Sequence, residues 1–154
     1  MKRTLLKLVV AAAVTAVLSG CATGVKYQDM ASTIPAIQAD QGRVYFFRSS
    51  SMVGAAIQPE IRLDDKVVGK SEPGGFFFVD AAAGNHVAAV STETEKTLSF
   101  TLAAGETKYV RSSPSFGVLA GRIVLDLETP EKAKAELPSL AYTGAPAKTQ
   151  ASAK

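Results

Sequence analysis

Gly42-Arg43-Val44-Tyr45-Phe46-Phe47-Arg48-Ser49 is the stretch from which the fold can be read. Val44, Tyr45, Phe46 and Phe47 follow one another without a polar break. A strand sends successive side chains to opposite faces, so an unbroken apolar run is apolar on both faces and belongs at the centre of a sheet. Phe76 to Val79 reads the same way.

Outward from these two runs the signal is strand after strand between Gly, Pro and Asp punctuation. Ile57, Pro59, Ile61 and Leu63 alternate with Gln58, Glu60, Arg62 and Asp64, and the proline marks this strand as an edge. Asp64, Asp65 and Lys66 turn the chain into Val67 and Val68, with Gly69 closing a short hairpin. Turns are expected at Pro73-Gly74-Gly75, at Gly84-Asn85 before His86 to Ser91, and at Gly105 before Tyr109 and Val110. Leu98, Phe100 and Leu102, then Ile123, Leu125 and Leu127, fall at every second position of two further half-buried strands. Short strands at this spacing predict a mainly β protein, an antiparallel β-sandwich of about seven strands over residues 42–141. One short C-terminal helix is expected, capped by Thr129, opened by Pro130 and Glu131, and stopped by Pro138. Residues 142–154 are Gly, Ala, Pro, Thr, Ser, Gln and Lys after Tyr142 and read as a disordered tail.

The N-terminal side has a different character. Lys2, Arg3 and Lys7 precede an apolar run from Leu8 to Leu18, and Ser19, Gly20 and Cys21 follow. Residues 1–20 therefore read as a secretory signal peptide, because the run is shorter than the roughly 20 apolar residues a membrane span needs. Three of the 17 basic residues and none of the 14 acidic ones lie there, so the remainder carries 14 of each and a formal charge of zero. The basic balance of the whole chain thus belongs to a processing signal, and nucleic acid drops out as a partner. Residues 21–41, interrupted by Gly24, Ser32, Thr33, Pro35 and Asp40, read as a tether that can pack partly on the domain. A flexible chain of that length spans on the order of 25 Å, enough to hold the domain clear of lipid headgroups.

Cys21 is the one cysteine in the chain. Leu18-Ser19-Gly20-Cys21 resembles the bacterial lipobox, an aliphatic residue and two small ones before an acceptor cysteine. The resemblance implies a diacylglyceryl thioether on Cys21, cleavage between Gly20 and Cys21, and acylation of the new amine. Sulfur suits that chemistry because a thiolate is a strong nucleophile. At about 0.8 kcal/mol per buried methylene, two or three acyl chains make a lasting anchor where one does not. The plainer alternative is an ordinary secretory cut at Gly20-x-Ala22. In a Gram-negative organism, the sorting rule for such lipoproteins implies that Ala22 after the cysteine directs the protein to the outer membrane, facing the periplasm.

The inventory for catalysis is thin. His86 is the single histidine, no Gly-x-Ser-x-Gly elbow is present, and no glycine run has phosphate-cradling spacing. His86 follows a Gly-Asn turn, where an exposed or capping role is expected, and one histidine makes no transition-metal site on its own. Asp64 with Asp65 and Glu93 with Glu95 read as turn and surface chemistry, and Ser49-Ser50-Ser51 as a loop. Phe76, Phe77 and Phe78 suit a core, or else an apolar pocket or partner surface. No catalytic residue, metal or cofactor is assigned.

Together with Gly42 to Arg48, the segments Leu63-Asp64-Asp65-Lys66-Val67-Val68-Gly69, Ala83-Gly84-Asn85-His86 and Ala104-Gly105-Glu106-Thr107-Lys108-Tyr109-Val110 resemble the DUF2846 lipoprotein family over residues 42 to 137. Similar turn grammar occurs in PEGA-type and transthyretin-like small sandwiches. Asp65 stands where such hairpins often have glycine, and Asp tolerates a left-handed backbone. The resemblance implies a fold and an envelope location and no reaction. Two functions follow as expectations: a non-enzymatic, membrane-anchored binding or accessory module that meets an envelope protein or cell-wall component, or a small-ligand binder or hydrolase with a pocket near Phe76–Phe78 and His86.

Overall fold

The computed structural model describes residues 21–117 and 121–144. The expected signal peptide and most of the expected tail lie outside them. The chain forms a short helix α1 (Tyr27–Met30) and a 3-10 turn (Ala31–Thr33), then strands β1 (Gln41–Phe47), β2 (Glu60–Leu63), β3 (Lys66–Lys70), β4 (Gly75–Ala82), β5 (Gly84–Ser91), β6 (Glu95–Leu102), β7 (Thr107–Ser115) and β8 (Arg122–Glu128). Helix α2 (Pro130–Glu136), a 3-10 turn (Leu137–Ser139) and β9 (Ala141–Tyr142) complete it.

Two sheets face each other, one of order β8-β7-β1-β4-β9 and one of order β3-β2-β5-β6. The mainly β, two-sheet architecture agrees with the sequence. Nine strands are seen among the described residues where about seven were expected, and two pairings, β1 with β7 and β4 with β9, are parallel. Parallel neighbours require a long crossover and leave no turn signature between them in the sequence.

β1 lies at the centre of its sheet, as its uninterrupted apolar run requires. Val44 and Phe46 join Ile61, Leu63, Phe77, Val90, Leu102, Val110 and Ile123 in the core between the sheets. Tyr45 and Phe47 point the other way, into a second cluster with Phe76, Phe78, Tyr109, Leu137 and Leu140. The five-stranded sheet is thus a middle layer. Phe46 stacks on Phe77 at 5.1 Å and Tyr45 on Tyr109 at 5.5 Å, offset as cross-strand aromatic pairs prefer.

The second cluster needs a cover, and both ends of the chain supply it. Thr129 caps α2 by accepting from Lys132 N at 3.5 Å, with Pro130 in the first turn as expected. Arg111 on β7 locks α2 down through Glu136 Oε2 at 2.7 Å, and it also pairs with Glu128 and lies over the Phe47 ring at 4.6 Å. On the same face, at the opposite end of β1, Arg43 forks onto Asp80 with contacts of 2.6 and 2.7 Å and lies over the Phe78 ring.

Two expectations need correction and a third gains its contacts. The strand holding Ile61 and Leu63 is no edge: β2 lies between β3 and β5, and Pro59 and Ile57 sit in the loop before it. A proline just outside a strand removes no ladder bond, so it says nothing about the edge. The expected tether packs partly on the sandwich, through Tyr27 edge-on against Phe76 at 5.4 Å and Met30 and Ile34 on the second cluster, and is otherwise largely exposed. Finally, Tyr142 belongs to β9, and Thr143 N donates to Phe76 O at 2.8 Å, so order extends into the segment expected as tail.

Candidate functional site

The described chain begins at Cys21, which is exposed. Ala22 N donates to Pro73 O at 3.0 Å, so the chain touches the domain one residue after the cysteine. From there Val25 O accepts from Tyr142 N at 2.8 Å, Lys26 bridges Ala141, and Tyr27 N donates to Leu140 O at 2.9 Å. The N-terminal segment therefore runs alongside β9 as a further short piece of the five-stranded sheet. Gly24 permits this approach: a β-carbon there would stand 1.8 Å from Tyr142 O. In sequence Gly24 reads as a breaker, and only the fold reveals it as the point of closest contact.

The loops around this end hang on Arg48, the residue that ends the decisive apolar run. Its side chain is fully buried at 1 % exposure, yet its guanidinium donates only to neutral acceptors: Gly54 O and Ile57 O at 2.7 Å each, Ser71 O at 3.1 Å and Ser71 Oγ at 3.4 Å. Burial pushes it below the ordinary arginine value, and Nε has no partner. Ser71 Oγ in turn meets Ser112 Oγ at 2.8 Å. Arg48 thus staples the loop after β1 to the β3–β4 connection. The crevice beside it, lined by Phe47, Arg48, Ser71, Glu72 and Ser112 among others, has no volume that would admit a water molecule.

The opposite end holds His86, and here the expected exposed role is wrong. Asp64 and Asp65 take φ of 50° and 66° at the β2–β3 turn, the two left-handed residues of a type I′ hairpin. That turn aims Asp64 at the next strand over. Its Oδ1 accepts from Val87 N at 2.9 Å and its Oδ2 meets His86 Nδ1 at 2.6 Å, while His86 Nε2 lies 2.8 Å from Ala82 O. A carbonyl can only accept, so Nε2 carries a proton, and a carboxylate beside Nδ1 favours a proton there as well. Burial works against the charged ring, but the bonds to Asp64 and Ala82 and the charge of Asp64 outweigh it, leaving His86 raised above its ordinary value. Burial likewise opposes ionisation of Asp64, and the bonds from Val87 and His86 with the charges of His86 and Lys66 hold it below the usual carboxylate value.

This geometry bears on the pocket reading. His86 is bonded to a carboxylate, as a catalytic histidine is, but its second nitrogen is spent on a backbone carbonyl, where a general base needs it free. Phe76 and Phe78 are in the outer cluster and Phe77 is in the core between the sheets, so the structure scatters the row to two sides and brings none of it to His86. Glu95 pairs with Arg62, and Glu93 with Arg122 at 3.1 Å. Among the described residues no group of three or more His, Cys, Asp and Glu side chains could hold a metal ion, and no helix is long and apolar enough to cross a membrane.

Comparisons with known proteins agree with the resemblance seen in the sequence. A protein of Haemophilus influenzae (strain ATCC 51907 / DSM 11121 / KW20 / Rd), described as uncharacterized, is 29% identical over 134 residues, which is 82% of this chain and 78% of that protein. No solved structure matches the chain. The family model for DUF2846, described as a protein of unknown function, matches residues 38–122. That stretch runs from the approach to β1 to the first residue of β8 and includes both Arg48 and the Asp64–His86 pair. Matched over more than half of its length, the chain belongs to the DUF2846 family.

Proposed function

We propose that this protein is a lipid-anchored envelope module without enzymatic activity, held in the membrane by acyl chains on Cys21 and binding or assisting another envelope component. The single observation that carries the reading is Leu18-Ser19-Gly20-Cys21, placed directly after a signal-like apolar run and containing the one thiol in the chain. An exported protein meets oxidising conditions, where a lone thiol needs a use, and thioether formation provides one. The exposure of Cys21 supports it, since an acceptor sulfur must be reachable. In a Gram-negative cell Ala22 favours the outer membrane as the destination.

Intact mass measurement of the protein from membranes tests the anchor. The expected product begins at Cys21 and carries the mass of a diacylglyceryl group and an acyl chain, and Cys21→Ala leaves an unprocessed precursor. A mature protein beginning at unmodified Ala22 or Thr23 removes the anchor from the proposal. The module role is tested by crosslinking in intact cells, with a reproducible envelope protein or cell-wall fragment as the expected product. A second reading, a small-ligand binder or hydrolase at Phe76–Phe78 and His86, draws on the His86–carboxylate bond alone.

A further inference from the structure

If Cys21 is lipidated, the geometry at its end of the sandwich fixes which surface meets the bilayer, an inference that rests on the anchor proposed above. Cys21 is one residue from Ala22, whose N–H is bonded to Pro73 O. One residue of extended chain covers only about 3.5 Å, so no spacer separates the acyl chains from the folded domain. The β3–β4 connection at Pro73 is therefore pinned at the level of the headgroups.

The surface around that pin is continuous in the fold. Gly74 N donates to Arg48 O at 3.1 Å, and Gly74 packs beside Ser50. The loop from Ser50 continues to Gly54, which packs against Pro114 near the end of β7, and Phe116 follows two residues later. β1 and β7 both run toward this end, and β4 starts from it. These loops present large apolar side chains to water, Met52 at 82 %, Val53 at 67 % and Phe116 at 99 % exposure, next to the exposed hydroxyls of Ser50 and Ser115. The remaining turn at this end, β5–β6, is polar, with Glu93 paired to Arg122 and Glu95 to Arg62, while the turns of the opposite end are Asp64-Asp65, Ala83-Gly84 and Ala103 to Glu106. Apolar side chains presented to water on adjoining loops mark a surface that meets another phase or another molecule, and Phe-bearing apolar surfaces of peripheral proteins bury themselves at the headgroup–acyl boundary.

We propose that Met52, Val53 and Phe116 dip into the headgroup region of the bilayer that holds the Cys21 lipid, so that the sandwich stands on the membrane with the Asp64–His86 end pointing away. The occupant is lipid because the acyl chains on Cys21 leave from this same end with no slack.

The test uses the full lipidated protein in vesicles of phosphatidylethanolamine and phosphatidylglycerol, with the Cys21 thioether verified by mass. After lipidation has consumed the native sulfur, Met52→Cys, Phe116→Cys or the distal Ala83→Cys carries a polarity-sensitive fluorophore. The expected result is a blue shift at positions 52 and 116 with loss of most emission when brominated lipids are included, and neither effect at position 83. Water-like emission at 52 and 116 in vesicle-bound, lipidated protein overturns this orientation and leaves the anchor standing. A blue shift that brominated lipids do not quench assigns the loops to a second copy of the chain and also overturns it. Unmodified Cys21 overturns the anchor and the orientation together.

Discussion

At the Cys21 end Arg48 is buried among carbonyls and a hydroxyl, while at the far end His86 is buried against a carboxylate. Both are cationic hubs that fasten a loop to a strand, and their partners push them in opposite directions. Arg48 has neutral acceptors and is driven below its ordinary value by burial alone, whereas Asp64 raises His86. An arginine tolerates the first arrangement because it holds its proton far above any physiological pH. A histidine in the same carbonyl cage would simply lose its charge. The contrast teaches that one end is fastened in a way indifferent to pH and the other in a way that follows it.

The sharpest way to break the comparison is Arg48→Met. It leaves the carbonyls of Gly54, Ile57 and Ser71 without their donor, and unmet buried acceptors together cost about 3 kcal/mol or more. Urea denaturation should show that loss, proteolysis should open residues 49–59 first, and the size of the loss should not change between pH 5 and pH 8. A pH-dependent loss would mean that a carboxylate shares the site. Next in size is Gly24→Ala, whose added carbon meets Tyr142 O and should cost about 2 kcal/mol, as overpacking does. Hydrogen exchange should then rise across residues 22–34 and 140–143 and stay unchanged at Asp64 and His86.

The third test is at the far end. His86 has its folded value raised above 6.5, so its contribution is complete below 6.5 and is lost as pH climbs through the raised value. Asp64 has its value lowered below 3.8, so its contribution is complete above 3.8 and is lost as pH falls through the lowered value. Stability should therefore be greatest between those limits. With the Asp64 carboxylate about half exposed, the pair is worth under about 1 kcal/mol. Asp64→Asn keeps an acceptor for Val87 N and should flatten the alkaline arm of a thermal-melt pH series; an unflattened arm would assign the titration elsewhere. Smallest is Thr129→Ala, which touches neither hub: its long capping bond of 3.5 Å predicts a loss of about 0.5 kcal/mol.

What the sequence discloses here follows from range. The centre of the sheet was legible because Val44 to Phe47 satisfy a local rule, and the Asp64-Asp65 hairpin and the Thr129-Pro130 helix start were legible for the same reason. The Asp64–His86 bond was not, since 22 residues separate its partners and nothing local ties a turn aspartate to the third strand after it. Nothing near Arg48 in the sequence marks it as buried, because its burial depends on a loop that folds back over it. Gly24 and Tyr27 looked like linker because their partner, Leu140 to Tyr142, lies at the other end of the chain.

The parallel pairing of β1 with β7 also bears on timing. Arg43 lies opposite Thr107 and Phe47 opposite Arg111, so the central strand gains its second neighbour only when residues beyond 107 have emerged from the ribosome. Folds dominated by such distant pairings form slowly. A nascent chain of this design therefore cannot complete its five-stranded sheet until most of it has been made.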